Sequence, residues 1–166
     1  MTRYTLLLAL AFLSLAGCKE KKSTTDSDQP SIQETVAAYE VLRYRKTPCF
    51  GICPHFEMVV MSDGQATFNG ERNVEMVGTW KGTWNQKQIG RVIKEANRIG
   101  YKNLQDEYDN KFVTDLPATY TTINFDGSGD VKTIMNRYQG PAELQSLYKV
   151  IDEIILEVEW TPLRDN

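Results

Sequence analysis

The strongest signal in this chain is a turn. From Phe56 to Met61 every residue except Glu57 is apolar, Asp63-Gly64 follows, and Ala66-Thr67-Phe68 resumes the run. Two apolar runs joined by Asp-Gly form a hairpin with a two-residue turn, because glycine takes the positive φ that a tight link between twisted strands demands. The flanking sequence agrees with antiparallel pairing. Tyr39 to Tyr44 reads as a first strand, and Val77 to Trp84 alternates, with Gly78, Trp80, Gly82 and Trp84 on one face and Thr79, Lys81 and Thr83 on the other. Tyr120 to Phe125, the turn Asp126-Gly127-Ser128-Gly129, and Val131 to Met135 form a second hairpin.

Two helical stretches complete the pattern. Asn85 offers an N-cap oxygen with Gln88 three residues on, and Ile89, Val92, Ile93, Ala96 and Ile99 recur at helical spacing until Gly100 stops them. Pro141, with Glu143 in the first turn, opens a second stripe of Leu144, Leu147, Tyr148, Ile151, Ile155 and Val158, which Pro162 ends. The order β-β-β-β-α-β-β-α lacks the regular alternation of parallel sheets. The expected fold class is α+β, an antiparallel sheet built of hairpins with two helices packed on one face.

The amino terminus points to a compartment. MTRYTLLLALAFLSLAG carries one basic residue, Arg3, then an apolar run too short to span a bilayer as a mature helix, which is the pattern of an export signal. Its end, Leu15-Ala16-Gly17-Cys18, resembles the bacterial lipobox, in which the cysteine is acylated and becomes the new amino terminus. Two or three acyl chains, at roughly 0.8 kcal/mol per buried methylene, hold a protein on the membrane. Lys19 stands where many Gram-negative bacteria place an aspartate for inner-membrane retention, so by that resemblance the expected location is the outer membrane, facing the periplasm.

Lys19 to Glu34 is polar and charged with almost nothing to bury, a disordered tether of about 20–25 Å. The expected organisation is a signal peptide over 1–17, the lipidated Cys18 and tether over 18–36, one globular domain over 37–160 and a tail over 161–166. Removing the signal takes Arg3 with it and moves the formal charge from −3 to −4, which makes nucleic acid a poor partner.

With Cys18 assigned to lipid, the remaining thiols are Cys49 and Cys53, in Thr-Pro-Cys-Phe-Gly-Ile-Cys-Pro-His-Phe (47–56). Extended, their Cα atoms would lie about 13 Å apart, beyond the roughly 4.4–6.8 Å of a disulfide, so a bond requires the chain to fold back within Phe50-Gly51-Ile52. Gly51 suits that bend, and an oxidising compartment favours the bond. Two alternatives stand beside the disulfide. Cys49, Cys53 and His55, with Met58 or Met61, make a soft ligand set suited to copper(I). The same pair reduced is a redox dithiol, although it lacks the two-residue spacing and following helix that lower a thiol pKa.

The run Pro48 to Pro54, the Asp63-Gly64 turn, the glycine-punctuated strand around Gly78, the Asp115-x-Pro117 step and the closing helix together resemble a bacterial lipoprotein family catalogued as domain of unknown function 6438, over about Leu42 to Ile155. The resemblance implies a small envelope domain behind a lipid anchor and no particular reaction.

Other candidates are weaker. Trp80 and Trp84 on one strand face suggest a stacking platform for a glycan, or alternatively core packing. The acidic stretch Asp106, Glu107, Asp109 and Asp115 lacks the spacing of a calcium loop. No nucleophile motif or phosphate loop is present. The expected function is a lipid-anchored, non-enzymatic envelope module without a cofactor, binding an envelope protein or glycan. A copper-handling or thiol-redox protein using Cys49, Cys53 and His55 is the alternative.

Overall fold

A computed structural model describes residues 37–163. The expected signal peptide, Cys18 and tether lie outside the described residues. The elements are β1 (Glu40–Lys46), β2 (His55–Met61), β3 (Gln65–Arg72), β4 (Gly78–Thr83), α1 (Gln86–Arg98), one turn of 3₁₀ helix (Tyr101–Asn103), β5 (Glu107–Tyr108), β6 (Thr119–Asn124), β7 (Val131–Asn136), α2 (Ala142–Glu157) and β8 (Thr161–Pro162). The strands form one sheet in the order β5-β7-β6-β1-β2-β3-β4-β8, antiparallel except for β5 beside β7. The fold is α+β.

Register explains the layering. Leu42 and Tyr44 on β1 face Val60 and Met58 on β2 and Ile123 and Thr121 on β6. Met58 and Val60 in turn face Phe68 and Ala66 on β3. Directly opposed residues share a face; all of these are buried, and all but the polar Thr121 form one cluster with Ile134 of β7, Ile89, Val92 and Ala96 of α1 and Leu144, Leu147, Ile151 and Ile154 of α2. Both helices therefore cover the same side of the sheet. The other side carries Arg43, Arg45, Glu57, Asn69 and Tyr120, with the Arg45 guanidinium 4.1 Å above the Tyr120 ring.

Helix α1 starts as its sequence directs. Asn85 Oδ1 accepts from the Gln88 N–H at 2.9 Å while Gln88 Oε1 accepts from the Asn85 N–H at 2.9 Å, a reciprocal cap. Across the helix pair, Arg98 bridges Glu95 on its own helix to Ser146 of α2, and Arg91 reaches Glu157 at 2.7 Å.

Four details depart from the sequence reading. The first hairpin turns through three residues, Ser62, Asp63 and Gly64, with Gly64 at φ 93° and bonded to the Trp84 backbone, where a Cβ would collide with the Trp84 carbonyl oxygen. The acidic stretch supplies β5, and Thr161–Pro162, within the expected tail, pairs with Trp80 and Lys81 of β4. Strands of two residues have no periodicity to read. In α2, Ile154 is fully buried while Ile155 and Val158 are half-buried at the edge of the core.

Candidate functional site

At one end of the sheet the chain leaves β1 and enters β2 through the cysteine segment. The exit is fixed twice: the Thr47 N–H donates to the Ala118 carbonyl at 2.9 Å, and the Ala118 N–H donates to Thr47 Oγ1 at 2.8 Å. The sulfurs of Cys49 and Cys53 are bonded to each other across a Cα separation of 5.7 Å, so the fold-back around Gly51 is made. The Gly51 N–H donates to Cys49 Sγ at 3.2 Å. From the β3–β4 connection, Asn73 Nδ2 donates to the Cys53 carbonyl at 3.0 Å, and Asn73 itself sits at φ 55°, a conformation asparagine tolerates better than most residues.

The result is a small covalent ring clasped from one side. It points its two large apolar residues outward, Phe50 at 92% and Ile52 at 90% of full exposure. Phe50 also lines a shallow groove of about 460 Å³ with Pro48, Cys49, Arg72, Asp115 and Leu116. A single exposed apolar side chain is ordinary; two large ones on a disulfide-closed ring beside a groove form an exposed apolar patch.

The copper ligand set is not assembled. Each sulfur is bonded to the other, His55 Nδ1 lies 3.0 Å from Glu71 Oε2, and Met58 is fully buried in the core. Met61 ends β2 six residues beyond His55, about 20 Å along the strand. Among the described residues no three His, Cys, Asp or Glu side chains converge on one point.

The Trp80–Trp84 platform is corrected. Trp84 lies past the end of β4 and is 1% exposed, so it is core and unavailable for stacking. Trp80 is half-buried opposite Phe68, its indole N–H donating to the Val77 carbonyl at 3.0 Å. Gly82 between them leaves room for Val158 and Trp160. The acidic stretch is engaged with cations, Asp109 with Arg137 at 2.5 Å and Asp106 with Lys132, and these pairs hold β5 against β7. The Arg137 guanidinium keeps the Asp109 carboxyl below the usual range.

A family model described as Domain of unknown function (DUF6438) matches residues 40–155. The chain belongs to this family. The matched span of the DUF6438 domain runs from the start of β1 into α2, so it takes in the ring, the loop that clasps it and nearly the whole core. No curated protein matches the chain.

Sequence reasoning gives no reason to single out Asn73, Lys46 or Asp152. Lys46 Nζ bonds the Asp152 carboxylate at 2.9 and 3.1 Å across 106 residues, and partners so far apart leave no local pattern.

Proposed function

We propose that this DUF6438 protein is a non-enzymatic binding module of the bacterial cell envelope, acylated at Cys18, held on the outer membrane and presented to the periplasm on its tether. Pro48–Pro54 then serves as the family's contact element, and the partner is an envelope protein or glycan. One observation carries the reading: the disulfide ring exposes Phe50 and Ile52 almost completely while Asn73 holds it in place. Ordering a loop before it binds removes an entropic cost from association. The disulfide and the His55–Glu71 contact favour this over the copper or thiol-redox alternative.

The test has two arms in the native cell. Radiolabelled palmitate is incorporated into the wild-type chain and not into Cys18→Ser, which leaves the membrane fraction. A photo-crosslinking residue at Phe50 gives a discrete adduct that the same residue at Lys149, on the exposed face of α2, does not. Unlabelled wild type, no adduct specific to Phe50, or two titratable thiols in the exported protein would overturn the reading.

A further inference from the structure

Between the carboxyl-terminal half of α2 and the connection from β3 to β4 lies an open apolar groove of about 450 Å³. Phe56 and Phe68 form its floor, each no more than 5% exposed, with their rings stacked at a centroid distance of 4.8 Å. The Trp160 ring stands 5.8 Å from that of Phe68. Half-buried Val74 and Met76 make one wall, and Ile155 and Leu156 of α2 make the other. Leu156 is 83% exposed, a large apolar side chain left facing water at the rim.

The groove's charge is of one sign. Its charged lining residues are Glu75 and Asp152, with no lysine, arginine or histidine among its walls. Asp152 is held by Lys46 at 2.9 Å, whereas Glu75 is exposed and forms no ion pair among the described residues. The helix adds to the same sign. Its carboxyl end lines the groove through Ile155, Leu156 and Val158, and its last turn has no basic residue. Aligned peptide dipoles leave the equivalent of roughly −0.5 elementary charge at such an end. An apolar groove rimmed by a free carboxylate and a helix carboxyl terminus complements an apolar surface that carries cations.

We propose that the groove docks a basic amphipathic segment of a partner protein, its apolar side chains on Phe56, Phe68 and Trp160 and its lysines or arginines toward Glu75 and the end of α2. Shape and charge select such a segment together. Apolar residues at helical spacing fall along one face, which an open groove accepts, while the cations flanking that face stay in water beside the rim. The same negative rim disfavours an acidic segment and an anionic lipid surface. Neither Phe50 nor Ile52 lines the groove, so this site does not depend on the role of the ring.

The probes are two synthetic peptides with leucines at helical spacing, one with lysine at the remaining positions and its twin with glutamate there. Each is titrated into the full chain carrying Cys18→Ser, which has no acyl group of its own. Calorimetry and tryptophan fluorescence read the binding, and Trp160→Phe assigns the fluorescence change. The lysine peptide is expected to bind saturably and at least about tenfold more tightly than its twin, with the difference shrinking as salt is added. Glu75→Lys removes most of that preference, and Leu156→Ser weakens the lysine peptide several-fold; both residues are exposed, so neither change touches the core. Glu143→Lys, the same charge change in the first turn of α2 and far from the groove, leaves the affinity unchanged. No saturable binding, equal affinity for the two peptides, or equal weakening by Glu75→Lys and Glu143→Lys would overturn the proposal. So would self-association of the chain, or uptake by phosphatidylglycerol vesicles, that Leu156→Ser abolishes, because the occupant would then be a second copy or a lipid surface. The circular dichroism and melting temperature of each variant confirm that it is folded.

Discussion

Trp160 lies directly over the bare Cα of Gly82. A Cβ on Gly82 would stand 2.9 Å from Trp160 Cε3 and 2.7 Å from Val158 Cγ1, closer than side chains pack. The chain leaving α2 therefore seals against β4 only because β4 has no side chain there. Gly82→Ala is expected to cost about 1–3 kcal/mol by overpacking. Gly90 in α1 faces open space, with nothing within 4 Å of where a methyl group would stand, so Gly90→Ala is expected to add about 0.5–1 kcal/mol through helix propensity. Urea denaturation of the two variants should move in opposite directions; equal shifts would refute the packing account.

The ring should matter more to local order than to the whole fold. Closing about five residues removes roughly 2 kcal/mol of unfolded-chain entropy, so the double variant Cys49→Ser, Cys53→Ser is expected to lose about that much and remain folded. Asn73→Ala, which removes the bond to the Cys53 carbonyl, should lose about 1 kcal/mol. Hydrogen exchange near Phe50 should accelerate in both variants while amides of β1 and β2 stay protected. Global unfolding of the double variant would show that the ring nucleates the domain.

The hairpins, both helices and the amino-terminal cap of α1 are legible in the sequence because each is a local pattern: alternation at period two, a stripe at 3.6, an asparagine three residues before a glutamine. What the sequence hides is long-range. Nothing local reveals that Asp152 meets Lys46, that Asn73 reaches Cys53, or that Trp84 turns inward past the last residue of β4 while Trp80 stays half-buried. The ring is the intermediate case. Its bend follows from the cysteine spacing and Gly51, but the outward placement of Phe50 and Ile52 depends on where Thr47 and Ala118 fix the strand exit.

Two buried tyrosines should respond oppositely to loss of the hydroxyl. Tyr101 donates to the Thr121 carbonyl at 2.5 Å, whereas the Tyr44 hydroxyl is buried with no partner among the described residues. Tyr101→Phe is expected to lose about 1–2 kcal/mol, and Tyr44→Phe to be neutral or to gain up to about 1 kcal/mol. Burial pushes the pKa of both hydroxyls up. Above the unfolded value near 10 the unfolded chain gives up these protons and the native one keeps them, so stability falls as pH rises beyond about 10. A flat alkaline limb in wild type would contradict this.

The acid limb tests how the helices are joined. Arg98, hydrogen-bonded to both Glu95 oxygens at 2.7 Å, and Ser146 beside it bring the Glu95 carboxyl down to about 2. Between that value and an unfolded pKa near 4.5 the unfolded chain binds a proton that the native state refuses, so the contribution is complete above about pH 5 and disappears as pH falls toward 2. Because the group is near solvent the gain is held below about 1 kcal/mol. Glu95→Gln should lower stability at pH 7 by that small amount and leave it unchanged at pH 2, so the two stability curves converge on acidification. Parallel curves across this window would mean that the Glu95–Arg98–Ser146 contact contributes nothing to holding α1 against α2.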